Sequence, residues 1–407
     1  MRHRPWTLAL ATAAVTAGLA APPALATVPS GAVPSGAVPS GAVPSGTGAL
    51  GAEPGPGARN LKPAAPSAAV TGNAAGFDPL TPSSDPVELR DAPRDLSKVT
   101  YTHKGQKHTL DDYLARTGTQ GFVVLDGRNV VFERYVTTNR DTLFQSWSMA
   151  KSFTSAAVGI AMHEGFIGSI DDTVTRYVPE LKGSGYDGVS LRDLLRMSSG
   201  IAWDETLDVP PVHVAASLGL PITEMARQRR RGWEPGSRFE YTSMNSFVLS
   251  WIVAKATGTP YHAYVQRKIW EPAGMGSRAY LGNDSNGNSL GYCCYYATDR
   301  DFARFGLLYL NGGRANGRQV VPRSWVAEST RPSAPFNQGY GLQWWLGEDG
   351  DFEANGLAGQ HIYVSPRNGV VIVKSTLATV VGEDESDDAF RAVAAAVAAA
   401  RTGARAR

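Results

Sequence analysis

Ser146-Trp147-Ser148-Met149-Ala150-Lys151-Ser152 sets a serine three residues before a lysine amid apolar neighbours. Of the nine lysines, only Lys151 has a serine three residues before it. If Ser148 opens a helix, Lys151 lies one turn later on the same face, and its amine can reach the hydroxyl. The helix N-terminus adds unpaired backbone N–H groups and a partial positive charge. That field and burial lower the lysine pKa, which lets the amine act as a neutral base. A capping serine followed by a solvated lysine would spell the same motif. The flanks argue against it: Phe144, Trp147, Phe153 and residues 156–160 are apolar.

Outward from this stretch, residues 152–163 read as a helix, as do 191–197 behind a Ser190 cap and 247–257 with Gly258 as the stop. Residues 389–401 close the chain with an alanine-rich helix. Residues 121–125 and 130–135 are apolar, β-branched runs joined by Asp126-Gly127, a hairpin signal. A second pair, 361–365 and 370–375, is joined by Pro366-Arg367-Asn368-Gly369. Strands at both ends with helices between them predict an α/β (α+β) fold. Its parts are an antiparallel sheet flanked by terminal helices and an inserted all-helical lobe. A site belongs in the cleft between sheet and lobe.

The first 75 residues differ in kind. They hold 11 of the 26 prolines, 10 of the 44 glycines and only five charged residues, too little apolar surface to offset ordering. A basic head, an apolar stretch over 7–21 and Ala24-Leu25-Ala26 read as an export signal over 1–26. The apolar stretch is too short for a stable membrane span. Residues 27–80, with Val-Pro-Ser-Gly-Ala repeated from Val28, read as a flexible tether, which could hold the protein near a cell wall. Residues 81–407 remain as the functional domain, and the expected location is extracellular. A net charge of +2, with no aromatics interleaved among basic clusters, excludes a strongly basic nucleic-acid binder.

A second element is Tyr241, in Phe239-Glu240-Tyr241-Thr242-Ser243-Met244-Asn245. A tyrosine at a loop-to-helix junction can hold its hydroxyl beside a lysine and relay protons to a leaving group. With these pieces in order, the chain resembles the serine β-lactamase and penicillin-binding-protein superfamily, on the class C side, which includes esterases and 6-aminohexanoate-dimer hydrolases. Further matches are residues 191–200, Pro235-Gly236, residues 270–275 and residues 297–304. The resemblance implies a nucleophile at Ser148, a base at Lys151 and a proton shuttle at Tyr241. It also implies an oxyanion hole from the backbone N–H groups of Ser148 and Leu357. Substrate contacts are expected at Trp147, Trp203, Asn245, Gly356, Gly359 and Gln360, with Glu205 beside Trp203 in the cleft lining. No cofactor is implied, and the partner is a small ester or amide.

The departures narrow the chemistry. The family's asparagine two residues after the tyrosine is Ser243 here, with Asn245 the nearest asparagine. The third motif, a basic residue before Thr-Gly, falls on Ala354-Asn355-Gly356, so the base is missing. Gly287-Asn288-Ser289-Leu290-Gly291 spells a nucleophile elbow, but a polar turn precedes it instead of a strand, so Ser289 is not expected to react. The seven histidines lack metal-ligand spacing, and no metal is expected. Cys293 and Cys294 are adjacent, and a bond between neighbours is shorter in span than disulfides usually are, so two buried thiols are expected. The expected function is an exported serine hydrolase of esterase or amidase type. A β-lactamase, a D-alanyl-D-alanine carboxypeptidase or a non-turnover penicillin sensor are the alternatives.

Overall fold

A computed structural model describes residues 76–377 and 385–405. The export signal and residues 27–75 of the tether lie outside the described residues. Residues 77–80, assigned to the tether by composition, are instead a strand: Phe77–Leu80 pairs antiparallel with Ala279–Gly282. Leu80 is fully buried and Phe77 meets Tyr296 edge-on at 5.2 Å, so two apolar side chains anchor this short segment.

The central sheet has seven strands. Their order is Trp345–Leu346, Phe352–Gly356, Gln360–Ser365, Val370–Thr376, Thr119–Asp126, Asn129–Tyr135 and Arg90–Asp91. Both hairpins close where the turn residues predict, at Asp126↔Asn129 and Ser365↔Val370. All neighbours are antiparallel except the last pair, Arg90–Asp91 with the start of Asn129–Tyr135, which is parallel. Pairing of Val370–Thr376 with Thr119–Asp126 ties the C-terminal hairpin to the N-terminal one.

Alternation along the strands sets the layers. Val123, Leu125, Val371 and Val373 face a core that also holds Phe153, Phe302 and Phe305. Phe122, Val124, Val370 and Ile372 face the opposite way, onto Tyr113, Leu114, Phe390, Val393 and Val397. These last five come from the terminal helices Leu110–Arg116 and Ser386–Arg405. Each such side chain contributes about 1.5–3 kcal/mol on burial.

The helical lobe is carried by Leu191–Leu195, capped by Ser190, and by Ser243–Thr257, which ends at Gly258 with φ 62°. Glu205–Ser217 is a further helix with Pro210 and Pro211 inside it, residues that hid it from a periodicity argument. A second sheet orders Phe77–Leu80, Ala279–Gly282, Tyr295–Ala297 and Phe144–Gln145, all antiparallel. Its strands are two to four residues long, too short for a period to register. This small sheet delivers the chain to Ser146.

Candidate active site

Ser146 is fixed on both sides by the small sheet. Its N–H donates to the Tyr295 carbonyl at 2.8 Å, and its Oγ accepts from the Tyr295 N–H at 3.1 Å. Trp147 then takes φ 45°, a left-handed conformation that L side chains rarely adopt, and Trp147–Met149 forms a tight turn running directly into the helix Ala150–His163. The predicted helix therefore begins two residues early, with Ser148 in the turn that feeds it.

Lys151 lies one turn on. Its Nζ is hydrogen-bonded to Ser148 Oγ at 2.7 Å and to the Tyr292 carbonyl at 3.0 Å. The side chain is 1% exposed. Burial pushes its pKa down to about 8, against the opposing pull of the Glu205 carboxylate. An amine poised there is neutral in a useful fraction of molecules near pH 7–8, as a general base requires.

Tyr241 covers the lysine: Nζ sits 5.0 Å from the ring centroid. The ring stacks on Trp345 at 5.5 Å and meets Tyr340 edge-on at 6.2 Å. Burial, and then the nearby Glu205 charge, hold the phenol far above its ordinary pKa, while a hydrogen bond with Ser148 acts in the opposite direction. The phenol is therefore a protonated O–H donor at neutral pH.

Glu205 opens its own helix and reaches the start of the next. One oxygen accepts from the Ser243 N–H at 2.9 Å and from Trp203 Nε1 at 2.6 Å; the other accepts from Ser243 Oγ. Ser243, the family's asparagine position, is thus turned to Glu205. That acceptor also explains why the helix begins at Ser243 and not at 247. Trp203 is 7% exposed, with the Arg229 guanidinium 4.7 Å from its ring centroid. It holds Glu205 in place; it does not line an open cleft.

The strand Phe352–Gly356 passes the turn that holds Ser148. Among the described residues its outer neighbour pairs only with Phe352 and Glu353, so no strand follows beyond them on that edge. A Cβ on Gly356 would collide with the Ser146 carbonyl and come within 3.2 Å of the Ser148 N. Glycine is needed because protein backbone, here Ser146 to Ser148, approaches closely. Leu357 follows, 42% exposed, at the start of the turn to Gln360–Ser365.

Several expected substrate contacts lie elsewhere. Asn245 is fully buried: its Oδ1 accepts from Tyr186 OH at 3.2 Å and its Nδ2 faces Met197 Sδ at 3.9 Å. Gln360 is 1% exposed and spends its amide on Thr376, donating to the carbonyl at 2.9 Å. Gly359 takes φ 78° in the turn, and its carbonyl accepts from buried Lys374 at 3.0 Å. Trp147 does remain beside Ser148, half-buried and stacked on His213 at 5.2 Å.

Ser289 is buried in the loop before Gly291, with no partner for its hydroxyl among the described residues. The two cysteines correct the sequence reading. Cys293 and Cys294 are joined in a disulfide across Cα atoms 3.7 Å apart, with Cys294 at φ 76°. The left-handed residue turns the chain enough for neighbouring sulfurs to meet, a conformation the adjacency argument did not allow for. His213 Nδ1 approaches Cys293 Sγ at 4.0 Å, but the disulfide occupies both sulfurs, so this cluster offers no thiolate ligands in this state. The Tyr292 carbonyl, Tyr340, Trp345 and His213 were not singled out from the sequence. The first is a backbone group, and the others lie far from any motif.

Residues 107–397 match the beta-lactamase family. The chain is 31% identical over 298 residues to the 6-aminohexanoate-dimer hydrolase of Paenarthrobacter ureafaciens, covering 65% of this chain and 74% of that one. A solved structure, "Putative 6-aminohexanoate-dimer hydrolase from Bacillus anthracis", superposes with a TM-score of 0.71 at 26% identity, over 79% of this chain and 90% of the other. A family VIII carboxylesterase shares the fold at a TM-score of 0.54 and 15% identity, over 67% of this chain and 91% of its own. With most of its folded length matched, the chain belongs to the beta-lactamase family.

Proposed function

We propose that the protein is an exported hydrolase that opens short esters or linear amides through an acyl-enzyme on Ser148. The observation that carries the reading is the 2.7 Å contact between Ser148 Oγ and a buried lysine whose pKa is lowered to about 8. Lys151 takes the hydroxyl proton as Oγ attacks the substrate carbonyl carbon. The oxyanion so formed rests on the backbone N–H groups of Ser148 and Leu357. As the intermediate collapses, Tyr241 donates its phenolic proton to the departing alcohol or amine and regains one from the Lys151 ammonium. Water, deprotonated through the same pair, then releases the acid and returns Ser148.

Two features favour linear substrates over β-lactams. Ala354 stands where β-lactam-directed members carry a base, and it is 2% exposed and packed in the core. A substrate carboxylate left there without a cation costs several kcal/mol. The 6-aminohexanoate-dimer hydrolase named above is similar over most of its length, which makes aminohexanoate-type amides the first substrates to try. Export through residues 1–26 and a tether holding the enzyme near a cell wall complete the proposal.

The test compares kcat/KM for a p-nitrophenyl butyrate ester, an aminohexanoate dimer and a chromogenic cephalosporin. The ester or the dimer should lead. Cephalosporin turnover a hundredfold faster, about 2.7 kcal/mol of transition-state preference, would reverse the assignment in favour of a β-lactamase. Stable acylation by penicillin without release would indicate a sensor.

A further inference from the structure

Tyr292 holds the amine of Lys151, and Tyr295 holds the chain segment that leads into Ser148. The Tyr292 carbonyl accepts from Lys151 Nζ at 3.0 Å, and the Tyr295 backbone exchanges hydrogen bonds with Ser146, two residues before the nucleophile. The two residues between these tyrosines are Cys293 and Cys294, and they are joined to each other. We propose that the Cys293–Cys294 disulfide is a positioning element of the catalytic pair, and that its reduction turns the hydrolase down. This inference rests on the Ser148–Lys151 reading above.

The ring closed by adjacent cysteines fixes the backbone of both residues at once, including the φ of 76° at Cys294. With the disulfide opened, hydrogen bonds alone hold that conformation, among them Cys293 N–H to the Leu290 carbonyl at 3.1 Å and Gly282 N–H to the Cys294 carbonyl at 2.9 Å. An L residue there relaxes toward negative φ. Rotation at Cys294 swings the Tyr292 carbonyl relative to Tyr295, so Lys151 and Ser146 lose their common reference. A third link runs through His213, which faces Cys293 Sγ at 4.0 Å and Tyr292 OH at 3.3 Å and stacks on Trp147, the residue beside Ser148.

Both cysteines are nearly inaccessible, at 2% and 0% exposure, so the bond persists until a reductant reaches it through motion of the His213 helix. The step is a two-electron exchange. A dithiol gives two electrons and two protons to the disulfide, leaving Cys293 and Cys294 as thiols and the dithiol as its own disulfide.

The groups facing Lys151 are Ser148, Tyr241, Tyr292 and Glu205, with His213 behind Tyr292. None is altered chemically by reduction. A change in the pH at which the lysine loses its proton then reports its altered position and hydration.

The experiment measures the rate of fluorophosphonate labelling against pH on the full protein. Samples are oxidised, reduced with dithiothreitol and desalted, and reoxidised; a Cys293→Ala/Cys294→Ala variant runs alongside. Thiols are counted and the labelled residue is mapped in every sample, below the melting temperature of each. Reduction should slow labelling of Ser148 at least tenfold and move the acid limb to higher pH as water reaches the amine. Reoxidation should restore both, and the double variant should match the reduced protein in either condition. Equal rates and an unmoved limb with both thiols free, or a double variant equal to the oxidised protein, overturn this inference alone. Label on a residue other than Ser148 in the oxidised protein overturns the nucleophile assignment as well.

Discussion

Glu205 accepts the backbone N–H of Ser243 at 2.9 Å, which places a carboxylate at the N-terminus of the helix that follows Tyr241. An anion there satisfies an orphan donor and complements the helix dipole. The same charge acts on the reacting groups: it holds the Lys151 and Tyr241 pKa values up. One side chain therefore orients the tyrosine's helix and tunes the buried amine.

Replacing Glu205 by Gln keeps an acceptor for Ser243 but removes the charge. The Lys151 pKa, already lowered to about 8, should fall further. The acid limb of kcat/KM should move to lower pH, and stability should drop by about 1 kcal/mol through the weakened cap. An unmoved limb in the pH profile would show that Glu205 serves only as a cap.

Gly356→Ala should disable the site without unfolding the sheet. The added methyl meets the Ser146 carbonyl and the Ser148 N, so either the strand or the nucleophile turn has to shift. Loss of an aligned oxyanion donor typically costs about 100- to 1,000-fold in kcat. The check is ester kinetics beside thermal melting, with kcat falling in that range while the melting temperature changes by only a few degrees.

Lys151→Ala and Tyr241→Phe should each remove most of the activity, and the double variant should be little worse than either. Both groups meet at Ser148, and members of one proton relay are non-additive. Losses that multiply in kcat would mean that the two residues act independently.

Asp299 gives a prediction on stability. It is fully buried, with Oδ1 accepting from Ser375 at 2.6 Å and Oδ2 without a partner among the described residues. Burial raises its pKa to about 7, helped by the Glu133 charge and opposed by Ser375. The folded protein thus holds a proton that the unfolded chain has released above pH 4. The resulting stability is complete below about pH 4 and is lost as pH rises through 7, roughly 4 kcal/mol in all. Asp299→Asn should remove that slope, measured as urea midpoints between pH 4 and 8. Parallel profiles for the two proteins would refute it.

What the sequence revealed followed from periodicity and short-range geometry. Ser148 and Lys151 sit one turn apart whatever surrounds them, and the Asp126-Gly127 and 366–369 turns fix their hairpins locally. Asn245 was misplaced because two residues past Ser243 on a helix is about 200° round, which points it into the core. Gln360 was misplaced because its partner Thr376 lies across the sheet from it. The Tyr292 carbonyl and the four-stranded sheet could not be read, since backbone acceptors and strands of two to four residues leave no side-chain pattern. The Glu205 helix was obscured by Pro210 and Pro211. The disulfide depends on the left-handed backbone at Cys294, a conformation that adjacency alone does not disclose.

The central claim is that Ser148 carries the acyl group. It is tested most directly by quenching the reaction with p-nitrophenyl butyrate, digesting the protein and mapping the adduct by fragmentation. A butyryl group should appear on Ser148 in the wild type, be absent from Ser148→Ala, and persist unchanged in Ser289→Ala. A butyryl group on Ser289, or full turnover by Ser148→Ala, would contradict it.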